Sequence, residues 1–336
     1  MQMPTNKSAA EEPLIDVKGL KTYYPIKKGI VSKTVGHVKA VDGVDFMINK
    51  GETLGLVGES GCGKSTVGRS VIRMEQLTEG SIHFQGQDIT SYSQKQMRNI
   101  RTGMQMVFQD PFSSLNPRMT IGDILKEPIK VHRLVEPDKA SLRVNQLLEM
   151  VGLSKSYINR YPHEFSGGQR QRIGVARALS VNPKLIICDE PVSALDVSIQ
   201  SQILNLLKDL QQEFHFSYLF IGHGLGAVKY ISDRIAVMYM GKIVETGKTE
   251  ELMANPKHPY TKALLGAYPI PDPLMRKKER VIIQGDVPSQ VNPPQGCRFH
   301  TRCPIASVEC TQQEPLLKGG EHAVACLKVE EFGGLL

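Results

Sequence analysis

Nine consecutive residues, Gly58-Glu59-Ser60-Gly61-Cys62-Gly63-Lys64-Ser65-Thr66, combine glycines, a lysine and three hydroxyls in the spacing GxxxxGK[ST]. An apolar run over 52–58 precedes them, and 65–74 has helical spacing, which is the strand–loop–helix context the pattern requires. Glycines let successive backbone N–H groups turn inward as a nest for an anion. The helix N-terminus adds roughly half a positive charge. Lys64 is then expected to reach the β- and γ-phosphates, and the Ser65 hydroxyl to ligate Mg²⁺. The chemistry is that of a nucleoside triphosphate site.

A second apolar segment, 184–190, ends in two carboxylates, Asp189 and Glu190. Asp189 suits the Mg²⁺ shell, because ligands in such sheets bind beyond the carboxyl ends of the strands. Glu190 points differently along the chain and is placed to orient the attacking water or accept its proton.

These residues need a scaffold that gathers strand ends. The sequence alternates strands with helices: strands at 14–24, 38–48, 52–58, 184–190 and 218–223, helices at 65–74, 169–180 and 197–214, and a closing strand pair at 234–247. Segment 27–37 reads as a Gly/Lys-rich loop, and 81–89 as a hairpin turning at Gly86-Gln87-Asp88. From Phe112 to Phe165 the spacing is helical. The pattern predicts a largely parallel α/β sheet with a helical insertion.

Phe165-Ser166-Gly167-Gly168-Gln169 before a basic helix resembles the LSGGQ signature of ABC ATPases, with Phe165 in the leucine position. From there the resemblance covers most of the chain. Gln109 resembles the Q-loop glutamine, Ser193-Ala194-Leu195-Asp196 the D-loop, and His223 the H-loop histidine, all in the family's order. The resemblance implies an α/β P-loop ATPase core with a helical signature subdomain and an antiparallel β subdomain. It also implies a dimer in which ATP lies between one subunit's phosphate loop and the partner's Ser166 and Gly168. His223 would contact the γ-phosphate, Gln109 would sense Mg²⁺ and water, and an aromatic would stack on adenine, with Tyr24 the choice and Tyr23 the alternative. Glycines flank His223, at 222 and 224, where the family usually has Thr or Ser and then Asp, and this loosens the backbone carrying the imidazole.

Composition shifts near residue 255 to a Pro-rich stretch, and four of the six cysteines follow: Cys297, Cys303, Cys310 and Cys326, separated by five, six and fifteen residues. The expected organisation is a frayed 1–13, an ATPase domain over 14–255 with its helical subdomain at about 112–170, and an extension over 256–336. Four thiolates suit zinc or an iron–sulfur cluster, and the lack of C-x₂₋₄-C pairs leans towards [4Fe–4S]. Cys62 and Cys188 read as packing residues. The tail, NPKHPYTKALLGAYPIP with GCRFHTRCPIASVEC, resembles the C-terminal extension of ATPases from oligopeptide and dipeptide importers, where such cysteines accompany an iron–sulfur cluster. TVGHVKAVDGVDF resembles the F-type of the two ATPase subunits. That resemblance implies a D-type partner ATPase in a heterodimer, two membrane permeases docking on the insertion after Gln109, and an extracytoplasmic peptide-binding protein.

Composition limits the rest. With 40% hydrophobic and 22% charged residues the chain is expected to fold, and its +7 net charge by itself assigns no partner. No segment approaches the ~20 apolar residues of a membrane span, and residues 1–13 show no signal-peptide pattern. The expected location is the cytoplasmic face of the membrane, as a peripheral subunit without nucleic-acid contacts. Three rivals are a same-family importer ATPase for nickel or another solute, a soluble ABC ATPase acting on DNA or ribosomes, and an inactive nucleotide-binding partner. The short interval between phosphate loop and signature, the single ATPase domain, and Glu190 with His223 argue against the last two.

Overall fold

The computed structural model describes residues 12–29, 32–267, 283 and 285–329. The first two strands, β1 (Ile15–Lys28) and β2 (Lys33–Ile48), pair antiparallel from Ile15↔Ile48 to Lys28↔Lys33, with four register shifts. Strand β3 (Thr53–Val57) leads into the phosphate loop, while β4 (Glu79–Phe84) and β5 (Gln87–Asp88) complete a four-stranded sheet in the order β2-β1-β4-β5.

The main sheet is built from β3 with β6 (Met104–Val107), β7 (Leu185–Asp189), β8 (Ser217–Gly222), β9 (Arg234–Tyr239), β10 (Lys242–Lys248) and β11 (Ala323–Val324). Its order is β11-β10-β9-β3-β8-β7-β6, with β9, β3, β8, β7 and β6 parallel and the two strands beyond β9 antiparallel. Every residue of β3, β7 and β8 is buried, as expected of central parallel strands covered on both faces, and this is why they read as unbroken apolar runs. The carboxyl ends of β3, β6, β7 and β8 carry the phosphate loop, Gln109, Asp189 with Glu190, and His223 respectively.

The helical insertion is as anticipated. Helices Ile121–Val131 and Ala140–Met150 pack with Gly167–Leu179 around buried Ile124, Leu125, Val144, Leu147, Leu148 and Ile173. Three local expectations need correction. The loop expected at 27–37 is mostly strand, because the long β1–β2 pairing carries its Gly and Lys residues as an exposed extension. The hairpin turns at Gln85-Gly86, both at positive φ (52° and 76°), one residue before the expected turn and in the left-handed geometry that tight hairpins favour. Helix Gln94–Gly103 was not anticipated, although Ser93 and Gln96 form a reciprocal capping box that the sequence carries openly.

The extension is stitched onto the core. β11 lies beside β10, and Ala325 donates its N–H to Val244 O at 2.8 Å. Fully buried Glu245 of β10 accepts the N–H groups of Lys257 (2.7 Å) and His258 (2.9 Å), and its Oε1 lies 2.7 Å from His322 Nε2. Tyr239, Tyr260 and Phe299 stack as a buried aromatic trio with centroids 4.8–5.5 Å apart. Segment 277–296 reads in the sequence as short strands and turns; residues 277–282 and 284 lie outside the described residues, and 285–296 form no strand. Among the described residues no helix is long and apolar enough to cross a membrane.

Gly55 lies where β3 meets the helix Leu225–Ile231, and a Cβ there would sit 2.4 Å from both Ser232 Oγ and Val228 Cγ1. Gly55→Ala is therefore expected to destabilise the protein by about 1–3 kcal/mol through overpacking. Urea unfolding reads this, and an unshifted midpoint would refute the close approach.

Candidate functional site

The phosphate loop leaves β3 at Val57 and enters the helix Lys64–Val71. Two of its glycines, Gly58 and Gly63, are sterically required. At Gly63, φ is 109° and a Cβ would lie 2.1 Å from the Ala40 carbonyl oxygen, while at Gly58 it would lie 2.1 Å from that of Met238. Lys64 is 4% exposed, and its ammonium donates to the Gly58 and Glu59 carbonyls at 2.8 and 2.9 Å. Cys62 is buried beside it, and burial pushes its thiol pKa up, consistent with a packing role.

Asp189 is completely buried at the end of β7, and Ser65 Oγ donates to its Oδ1 at 2.7 Å. Among the described residues its Oδ2 has no hydrogen-bond partner, and Arg69 Nη2 lies 3.9 Å away. Burial raises the Asp189 pKa above the usual carboxylate range. A buried carboxylate with one unpartnered oxygen beside a serine hydroxyl has the donor chemistry of a Mg²⁺ site, so these residues fit that ion. Glu190 follows in the left-handed region (φ 47°), an uncommon conformation for this residue type, held by its N–H donating to Ile221 O at 2.9 Å. Gln109 Nε2 donates to Glu190 Oε2 at 2.7 Å. Ser193 Oγ donates to the Glu190 carbonyl at 3.1 Å, so the segment 193–196 is tied to the same corner.

The two tyrosines of β1 separate clearly. Tyr23 donates its hydroxyl to Asp42, which also pairs with Arg298. Tyr24 places its hydroxyl against the side chains of Thr66 and Glu75, at the phosphate-loop helix. His223 is exposed just beyond β8 and makes no hydrogen bond among the described residues. Gly222 is forced small, since a Cβ would meet Val228 Cγ2 at 2.3 Å, whereas Gly224 faces open space at the start of the helix Leu225–Ile231. Ser166 caps the helix Gly167–Leu179 through a reciprocal box with Gln169, and Gly168 lets Ile199 approach to 2.5 Å of where a Cβ would be. Its bonds are local, and none joins it to the phosphate loop of its own chain.

Residues 41–193 match the ABC transporter family profile, and residues 244–310 match the profile of the oligopeptide/dipeptide transporter C-terminal region. The chain is 54% identical to the oligopeptide transport ATP-binding protein AppF of Bacillus subtilis, over 95% of this chain and 98% of that one. It is 53% identical to the oligopeptide transport ATP-binding protein OppF of Salmonella typhimurium, over 94% and 96%. The chain belongs to the oligopeptide-transporter family of ABC ATP-binding proteins. Among solved structures, the dimeric post-hydrolysis state of the ATP-binding cassette MJ0796 bound to ADP and Pi matches with TM-score 0.63 and 26% identity, covering 70% of this chain and 98% of that one.

As a member of this family the chain is an ATPase that works with Mg²⁺, but its tail departs from the expected metal site. Cys297, Cys303, Cys310 and Cys326 converge closely enough for each of the other three to raise the Cys297 pKa further, after burial, to about 11, and Cys303 is likewise pushed up to about 11. Yet among the described residues no group of three or more His, Cys, Asp or Glu side chains is placed to hold a metal ion. Among the described residues the four cysteines thus form a neighbourhood and no ready ligand set. Burial favours the protonated form of Cys297 and Cys303, whereas metal ligation needs thiolates. Sequence reading also missed Arg302, Arg298, Gln290 and Tyr260, which meet the loop or its flanking strands from as far as 256 residues away in sequence. No local motif signals such contacts.

Asp189→Asn removes a buried charge with an unpartnered oxygen while keeping the shape. It is expected to raise the thermal midpoint of the Mg²⁺-free protein and to abolish Mg²⁺-dependent ATP hydrolysis. Scanning calorimetry at neutral pH checks the first half, and a lowered midpoint would show that Ser65 and Arg69 already compensate the carboxylate.

Proposed function

We propose that this chain is the ATP-hydrolysing subunit that energises a bacterial ABC importer of oligopeptides or dipeptides. The observation that carries the reading is the corner where Ser65 bonds Asp189 and Gln109 bonds Glu190 beside a sterically fixed phosphate loop. The relatives' names and the matching C-terminal profile support the peptide cargo.

In the proposed mechanism the inward N–H groups of the loop and Lys64 hold the β- and γ-phosphates of ATP, and Tyr24 stacks on adenine. Ser65 and Asp189 would hold Mg²⁺ with help from Gln109; bound there, the ion neutralises phosphate charge. Glu190 orients a water and takes its proton as the water oxygen bonds to the γ-phosphorus and the bond to the bridging oxygen breaks. His223 contacts the γ-phosphate. The partner subunit supplies a second signature helix, whose N-terminal N–H groups and dipole face the γ-phosphate. Ser166 already bonds only within its own cap, so its helix N-terminus is presented outward. ATP then joins the two subunits and hydrolysis releases them, moving two permeases at the membrane. A D-type ATPase is the proposed partner, and the cytoplasmic face the proposed location.

For the tail we propose a [4Fe–4S] cluster on Cys297, Cys303, Cys310 and Cys326; their convergence supports it, while their placement without a ligand set does not. Anaerobically purified protein should contain iron and acid-labile sulfide, and zinc without iron would reject the cluster. Glu190→Gln should bind ATP yet hold the dimer closed, with turnover reduced by about 10²–10⁴. Size-exclusion chromatography with ATP and a phosphate-release assay test this. Wild-type turnover would remove Glu190 as the base.

A further inference from the structure

The C-terminal extension reaches the phosphate loop itself. Arg302 lies on the short helical turn His300–Arg302, immediately before Cys303. Its guanidinium grips Glu59 with two prongs, Nη1 to Oε2 at 2.8 Å and Nη2 to Oε1 at 3.2 Å. The arginine side chain is only 8% exposed, and Nη1 also donates to Tyr239 Oη at 3.5 Å. Such a bidentate fork fixes orientation as well as charge.

Glu59 is the second residue of the loop, and each of its polar groups is held. Its N–H donates to Tyr260 Oη at 2.8 Å, its carbonyl accepts from Lys64 at 2.9 Å, and its carboxylate meets Arg302. Gln290 Nε2 donates to the Gly61 carbonyl at 2.6 Å, a third contact from the extension after Arg302 and Tyr260. A free carboxylate in a loop that receives a triphosphate would repel it. Arg302 cancels that charge from a segment 243 residues away in sequence.

We propose that Arg302 is a positioning residue for ATP hydrolysis. It neutralises Glu59 and holds the first turn of the phosphate loop in its anion-receiving form, so that the extension sets the affinity for ATP. The proposal rests on the phosphate loop being the ATP site.

The test uses the full chain, with steady-state ATPase kinetics and ATP titration in Mg²⁺ for wild type, Arg302→Gln and Arg302→Gln/Glu59→Gln. Arg302→Gln should raise KM for ATP by about tenfold with kcat changed by no more than about twofold, as expected when a half-buried carboxylate beside the phosphate site loses its partner. Adding Glu59→Gln should recover at least about threefold of that loss, a coupling that a general weakening of the fold would not produce. A KM within twofold of wild type in Arg302→Gln overturns the proposal, and so does a joint fall of kcat and affinity that the second substitution leaves uncorrected. Should Arg302→Gln fail to fold, Arg302→Lys keeps the charge and loses the fork; it should raise KM about threefold, and an unchanged KM overturns the proposal equally. Lys64→Ala runs in parallel: retained ATP binding there would bring down the phosphate-loop reading itself, whereas its loss alongside an indifferent Arg302 brings down this inference alone.

Discussion

A loop that grips a polyanion must turn its amides inward, and side chains would block that posture. Here the constraint is severe: at Gly58 and Gly63 a single added carbon would overlap backbone carbonyls of Met238 and Ala40. Those carbonyls belong to other strands, so the loop is shaped by the sheet that surrounds it as well as by its own glycines. Asp189 adds the complementary condition. A carboxylate buried this completely is tolerated because a serine hydroxyl meets one oxygen and a cation can meet the other. The rest of the architecture serves to bring β3 and β7 to the same end of one sheet.

Parallel strands do that economically. Their carboxyl ends point the same way, so residues 124 and 81 positions apart in sequence arrive at one edge: Ser65 beside Asp189, Gln109 beside Glu190. The strained backbone of Glu190 fits this picture, since a left-handed turn immediately after a strand redirects its side chain away from the path Asp189 takes. The signature helix is the exception. Ser166 and Gly168 sit on the helical insertion, and their bonds are local, which suits a surface whose function depends on a second molecule.

The extension is more than an appendage. It donates an edge strand to the main sheet, buries a glutamate–histidine contact and an aromatic trio, and places an arginine on the phosphate loop. Two of its four cysteines lie one residue from the arginines that touch the core: Cys297 precedes Arg298, and Arg302 precedes Cys303. The geometry of that neighbourhood is therefore mechanically continuous with the nucleotide site.

The nucleotide chemistry was written locally. The phosphate loop, the Asp189–Glu190 strand end, the Ser166 cap and the helical insertion all rest on short-range spacing and apolar periodicity, which survive in one dimension. The misplaced turn at Gln85-Gly86 and the unforeseen helix Gln94–Gly103 were also local and legible, through left-handed turn geometry and a capping box. What folding alone decided was of another kind. Which of Tyr23 and Tyr24 faces the loop depends on Asp42 and Arg298 claiming the first. Whether four cysteines make a ligand set depends on distances that spacing along the chain does not fix. That Arg302 finds Glu59 follows from two sheets and an extension closing on one another. Periodicity encodes which face a residue takes, whereas long-range pairing is set by how those faces are stacked.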